Sequence, residues 1–282
     1  MLTTDSDIEV IVHDNDLPLI GKYIDVFLRN QRTAEIESDN RGLFYRGQSD
    51  INYLLMPSVF RNGLLTKEHI LIQQLLLKSP DDFNNNDNDI ERLIKMQHYG
   101  LPTRLLDVTT NPLVALFFAC NENADKDGEI IVFYDYMEHP NAIYARCLVA
   151  LSEYASDSER DIISLFTVKG IMNVNLGELS KRAYILIEVP RNNERIRRQH
   201  GAFVVVGLHG REYGNPFQKE KFDLKPLLVR DFDDGVERSI VIPKDEKAQL
   251  LKELDVLGIN RAFLFPELEH QAAHIRDKYV EI

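Results

Sequence analysis

The chain has no tryptophan, only two cysteines, and no apolar run longer than the eight residues Leu113 to Cys120, LVALFFAC. Each shortage narrows the reading. A bilayer span needs roughly 20 apolar residues, so no membrane association is expected, and LVALFFAC is predicted to be a buried helix. Cys120 and Cys147 cannot build a disulfide framework. They are expected as packing residues of a cytoplasmic protein. The opening MLTTDSDIEV lacks a basic start followed by an apolar run, so no secretory signal is expected. Positive charge is also scarce. With 33 Lys and Arg against 45 Asp and Glu, the net charge is −12. That argues against non-specific nucleic-acid binding through the whole surface and leaves room for a local basic patch.

Several site patterns are missing as well. There is no GxxxxGK[ST] loop, GxGxxG, GxSxG elbow, HExxH or CxxC, which removes the usual phosphate-loop, dinucleotide, serine-hydrolase, zincin and thiol-redox signatures. His270 and His274 stand four apart with no third ligand at metal spacing. No metal is therefore expected.

What is present is the composition of a globular protein, 44% hydrophobic and 28% charged. Asp16 is a candidate cap for a helix whose apolar face is Ile20, Tyr23, Ile24, Phe27 and Leu28. A helix with a mostly buried surface is predicted over Thr66 to Lys78, and DDFNNNDND (81 to 89) reads as a surface loop. Asn88 or Asp89 then caps IERLIKMQHYG, with Gly100 in the left-handed position after the helix and Pro102 preventing its continuation. Asn111 and Pro112 mark the start of the apolar helix.

Strand-like runs appear at 129–136, 183–189, 202–208 and 237–242, nearly continuous in apolar residues and so expected to be covered on both faces. A C-terminal helix carries Leu250, Leu251, Leu254 and Leu257 and closes at Gly258; a short strand, AFLF, and a last helix follow. The expected fold is α+β: one domain over 1–282, with helices before residue 120 packed on a mainly late-sequence β-sheet. Residues 1–40 form its N-terminal helical segment, and 137–182 a helical insertion.

Three polar stretches carry chemistry. FYRGQSD (44 to 50) sets Arg46 and Gly47 after two aromatics. MQHYGLPTRLLDVTTNP (96 to 112) reads as a loop between two helices and packs His98, Tyr99, Thr103, Arg104, Asp107, Thr109, Thr110 and Asn111 into one segment, the way a rigid scaffold presents a site. The structural alternative stays open: Arg104 or Arg46 pairs with Asp107 at a buried turn, and Thr109 to Pro112 only cap a helix. RNNERIRRQHGAF (191 to 203) offers Arg191, Arg195, Arg197 and Arg198, either as a solvated face or as guanidinium forks for phosphate.

FYRGQ, YLLMPSVFR, MQHYGLPTRLLDVTTNPLVALFFA, RIRRQHGAF and LFPEL together resemble the FRG domain family, over residues 44 to 268. Val108 stands where that family commonly has tryptophan. The order of an aromatic-Arg-Gly strand end, a Ser/Thr-rich turn before an apolar helix, and a polar residue near a late strand is also similar to ADP-ribosyltransferases. That second resemblance implies an ADP-ribosyltransferase-like core and an enzyme that uses NAD as substrate. Arg46 would grip the pyrophosphate, Tyr99 would stack on a ring, and Thr109 and Thr110 would position the ribose, with Gly47, Gln48 and Arg104 as further cofactor-binding residues. At the position of that family's glutamate the chain offers Gln199, with Glu188 and Glu194 nearby; His98 or Asp107 is the alternative base. Arg195, Arg197 and Arg198 would face an anionic acceptor such as RNA, a nucleotide or a protein. The likeness extends to toxins and phage-defence effectors, which implies an antitoxin or inhibitor partner. The other reading is a non-catalytic nucleotide- or nucleic-acid-binding module, because glutamine cannot supply the negative charge that offsets a developing cation.

Overall fold

The computed structural model describes residues 18–37, 40–83, 88–154, 159–189, 193–207, 224–225 and 235–279. Asp16 and Arg191 lie outside them, as do the side chains of His270 and His274.

Helix α1 (Leu19–Glu37) leads into β1 (Gly42–Gln48). Its first two amides donate to the Glu253 carboxylate, at 3.2 Å from Leu19 and 2.7 Å from Ile20, so a distant side chain satisfies N–H groups that the helix itself cannot. The predicted apolar face is buried at Ile20, Tyr23 and Phe27, but Leu28 points to solvent. After two 3-10 turns come α2 (Glu68–Lys78) and α3 (Asp89–His98). Helix α2 is less buried than its sequence suggests: only Glu68 and Ile72 are enclosed, and Ile70 and Leu77 are exposed. Asn88 caps α3 in a reciprocal box with Glu91, and Gly100 takes φ +89° just beyond the helix.

The stretch expected to be a loop between two helices contains a strand, β2 (Leu105–Thr109), before α4 (Pro112–Cys120). Asn111 caps α4 through a 3.0 Å bond from the Leu113 amide. The remaining strands are β3 (Gly128–Asp135), β4 (Met137–Glu138), β5 (Tyr184–Ile187), β6 (Gly201–Val206) and β7 (Ser239–Ile242). Between β4 and β5 stand α5 (Ile143–Ala150), α6 (Glu159–Val168) and α7 (Leu176–Lys181). Helical turn α8 (Glu194–Arg198) precedes β6, and α9 (Lys244–Val256), α10 (Arg261–Leu264) and α11 (Leu268–Tyr279) follow β7. Helix α10 replaces the expected strand AFLF: Asn260 accepts from the Phe263 amide at 2.8 Å and starts a helical turn. Four apolar residues carry no periodicity that could separate the two outcomes.

The seven described strands form one sheet in the order β4-β5-β6-β2-β1-β3-β7, antiparallel except for β4 with β5. Five of the seven strands follow residue 127, as expected of a mainly late-sequence sheet, but its middle, β2 and β1, comes from before residue 120. One face packs on α2, α3 and α5 to α7 through residues such as Phe44, Leu106, Phe133 and Val204. The other packs on α1, α4 and α9 through Leu43, Tyr45, Ile130 and Val132. Helices on both faces explain why β3 is buried at every position but its last. Cys120 and Cys147 are free and buried, and burial pushes both thiols up to about 12, which fits packing residues. No helix of the described residues is long and apolar enough to cross a membrane.

Candidate functional site

Strand β1 is held unequally on its two edges. Against β3 it runs in unbroken register from Gly42 opposite Asp135 to Gln48 opposite Glu129. Against β2 it registers only where Tyr45 faces Thr109. Beyond that point the strands part, and Arg46 spans the seam, its Nη1 donating to the main-chain oxygen of Asp107 at 2.7 Å. Its Nε is enclosed with no acceptor among the described residues. Burial pulls the guanidinium below its ordinary pKa; Asp107 works against that shift and Arg61 adds to it.

Gly47 makes the seam possible from below. A Cβ there would fall 1.9 Å from the main-chain oxygen of Ala115, so only glycine lets α4 lie this close to β1. The seam opens into a cavity of about 180 Å³ lined by Arg46, Asp107, Thr109, Phe118, Arg195 and Gln199, among others. A second cavity of about 160 Å³ adjoins it, sharing Asp107, Val108, Arg195 and Gln199 and adding Gln97 and His98. Three separated stretches of sequence therefore meet around Asp107. A larger hollow of about 450 Å³ lies between residues 52 and 66, but Arg61 is its one charged lining residue among those described, and Arg61 donates to Met56 at 3.2 Å. Convergent charge favours the seam.

Asp107 is exposed, and its carboxylate accepts from Gln97 Nε2 at 2.9 Å rather than from Arg46 or Arg104. Gln199 sits on the cavity wall, with Nε2 donating to Leu264 at 3.1 Å. Thr109 is committed to structure: its hydroxyl donates to the Gln199 main-chain oxygen at 2.7 Å and accepts from the Asn111 amide at 3.0 Å. That links β2, the turn before β6 and the start of α4. Arg195 lines both cavities, its guanidinium 4.7 Å from the Phe265 ring centre and 4.0 Å from Glu267.

Other expected site residues lie elsewhere. Arg104 is fully buried, with Nε donating to Glu68 at 3.0 Å, Nη1 to the Leu148 carbonyl at 3.1 Å, and Nη2 to Glu68. It ties β2 to α2 and α5 and cannot reach a ligand. Tyr99 is 71% exposed and meets only His98 edge to face among the described aromatic contacts. Thr110 is exposed and Gln48 is buried, and neither lines the two cavities. Arg197 and Arg198 pair with Glu194 on α8, and Arg198 also donates to Phe263 at 3.2 Å. Glu188 and Glu194 line neither cavity. Among the described residues no three His, Cys, Asp or Glu side chains gather as metal ligands. The residue that sequence reading passed over is Gln97. It occupies the last turn of an amphipathic helix, and nothing local shows that its partner is Asp107.

No curated protein and no solved structure matches the chain. Residues 41–128, from the start of β1 through Gly47, β2 and α4 to the first residue of β3, match the family model of the FRG domain.

Proposed function

We propose that the β1–β2 seam binds the phosphate-bearing part of a nucleotide such as NAD, and that the protein is an ADP-ribosyltransferase-like enzyme built around Asp107. The observation that carries this reading is the convergence of Arg46, Arg195, Asp107 and Gln199 on one cavity. Two guanidinium groups match phosphate oxygens, and Arg46 has a buried Nε without an acceptor. Neither cavity reaches the roughly 300–1,000 Å³ of a typical ligand pocket, so the seam encloses a ribose phosphate while the rest of the dinucleotide lies across Asp107 and Gln199.

In the reaction, the C1′–N bond to nicotinamide breaks with its electron pair passing to the ring nitrogen. The acceptor bonds to C1′ and gives up its proton. With glutamine at position 199, Asp107 is the carboxylate placed to stabilise the oxocarbenium-like carbon, and His98, in the adjoining cavity, can take the proton. An anionic acceptor, RNA or a nucleotide, would approach over α8, where Arg195 faces the cavity.

The second reading, a module that binds the nucleotide without cleaving it, is favoured by one observation. The Gln199 amide and the Thr109 hydroxyl are already committed within the protein. Incubation with labelled NAD and total RNA or protein separates the two. Nicotinamide release and label transfer, both lost in Asp107→Asn, support the enzyme. Saturable NAD binding in calorimetry without release, lost in Arg46→Ala, supports the module. If the wild-type protein neither binds nor cleaves NAD, both readings fall.

A further inference from the structure

The Asp107 carboxylate is one end of a hydrogen-bond chain with a fixed direction. The Leu105 amide donates to Thr103 Oγ1 at 3.2 Å, the Thr103 hydroxyl donates to Gln97 Oε1, and Gln97 Nε2 donates to Asp107 Oδ2 at 2.9 Å. Because Thr103 Oγ1 already accepts from an amide, its single proton is free to go to Gln97. The carboxylate, which can only accept, settles which end of the Gln97 amide faces Asp107, and the Thr103 proton then meets the amide oxygen. Turned over, the amide would set its oxygen against a carboxylate oxygen.

The origin of the chain is rigid. Thr103 is buried, its amide donates to Ser58 Oγ at 3.3 Å, and its main-chain oxygen accepts from the Val59 amide at 3.3 Å. Gln97 is brought back over β2 by the reversal at Gly100, where the Leu101 amide donates to Met96 at 3.0 Å. Arg46 meanwhile holds the Asp107 main chain from the other side. One residue on the wall of both cavities is thus fixed at backbone and side chain by two different elements.

We propose that Gln97 and Thr103 are positioning residues. They hold the Asp107 carboxylate between the two cavities with Oδ2 engaged, so that Oδ1 is presented to a hydroxyl or N–H group of the ligand. The ligand class rests on the nucleotide reading above: a ribose hydroxyl meets Asp107 while the phosphate meets Arg46 and Arg195.

The test compares Thr103→Val, which keeps the shape and loses the hydroxyl, with Thr103→Ser, which keeps the hydroxyl; Gln97→Met serves as a second, half-buried probe. The first readout needs no ligand: three-bond couplings to the Asp107 β-protons. Wild type and Thr103→Ser are expected to show one χ1 rotamer, and Thr103→Val and Gln97→Met an average of several. The second readout is NAD affinity by calorimetry, expected to fall about 5-fold in Thr103→Val and Gln97→Met, the worth of one hydrogen bond, and to return in Thr103→Ser. Unchanged couplings in both Thr103→Val and Gln97→Met overturn the proposal. So does a Thr103→Ser variant that behaves like Thr103→Val. If wild type binds no NAD, the nucleotide reading falls by itself, and the coupling comparison alone decides whether the chain holds Asp107.

Discussion

Arg104 and Arg46 both touch strand β2, and they differ in how far the protein satisfies them. Arg104, just before the strand, has all three guanidinium nitrogens engaged, two by Glu68 and one by the Leu148 carbonyl, and no exposed surface. Arg46, facing the strand across the open seam, has Nη1 bonded to one main-chain oxygen and an enclosed Nε with no acceptor among the described residues. The buried charge of Arg104 is neutralised within the fold. Arg46 has no carboxylate partner of this kind among the described residues, and on the reading proposed above its free positions meet a ligand. The same contrast appears in the ladders: β2 pairs fully with β6, from Leu105 opposite Val205 to Thr109 opposite Gly201, and meets β1 at a single position. The groups of the candidate site collect where the ladder is interrupted, because there side chains instead of main-chain bonds must fill the gap.

The largest effect should come from the satisfied arginine. Arg104→Ala strands the Glu68 carboxylate in the core and should cost about 3–5 kcal/mol in urea unfolding. Replacing both partners, Arg104→Met with Glu68→Leu, should recover most of that loss, since two well-packed apolar chains leave no buried charge. A loss of under about 1 kcal/mol for Arg104→Ala would mean that the pair is not held as described.

Arg46→Ala should reverse the pattern. It removes one hydrogen bond to the Asp107 main chain and should cost about 1 kcal/mol of stability. NAD affinity should drop on the order of 10–100-fold, as expected for lost charge-assisted bonds to phosphate. Calorimetry and urea unfolding on the same samples check both halves. An Arg46→Ala protein as unstable as Arg104→Ala would erase the distinction between the two arginines.

Local chemistry was readable in the sequence, and long-range pairing was not. Asn111 and Pro112 start α4, Gly100 and Gly258 end helices at φ +89° and +80°, and the four long apolar runs are strands, because each signal acts within a few residues. Strand β2 was hidden. LLDVT is short and lies among threonines and an arginine that read as a loop, and it becomes a strand only because β6 is there to pair with it. The grouping of Arg46 with Asp107 and Gln199 was anticipated from the order of motifs. The assignment of Arg104 to the ligand failed for a physical reason: its partner Glu68 lies in a helix that looks merely amphipathic, and no spacing rule links the two. Gln97 escaped notice for the same reason.

The smallest effects separate neighbours on α8, where sequence alone treats the arginines alike. Arg197 pairs with Glu194 on the exposed face, and such pairs are screened by solvent and contribute little. Arg197→Ala should leave both the melting temperature and NAD affinity unchanged. Arg195, by contrast, stands over the Phe265 ring and lines both cavities. Arg195→Ala should lower NAD affinity about 5-fold, with a loss that shrinks as salt is raised. If the two variants bind NAD equally well, α8 is a solvated face throughout, and the phosphate contact belongs to Arg46 alone. If Arg197→Ala weakens binding more than Arg195→Ala, the ligand runs along the outer side of α8, and the seam is not where it is held.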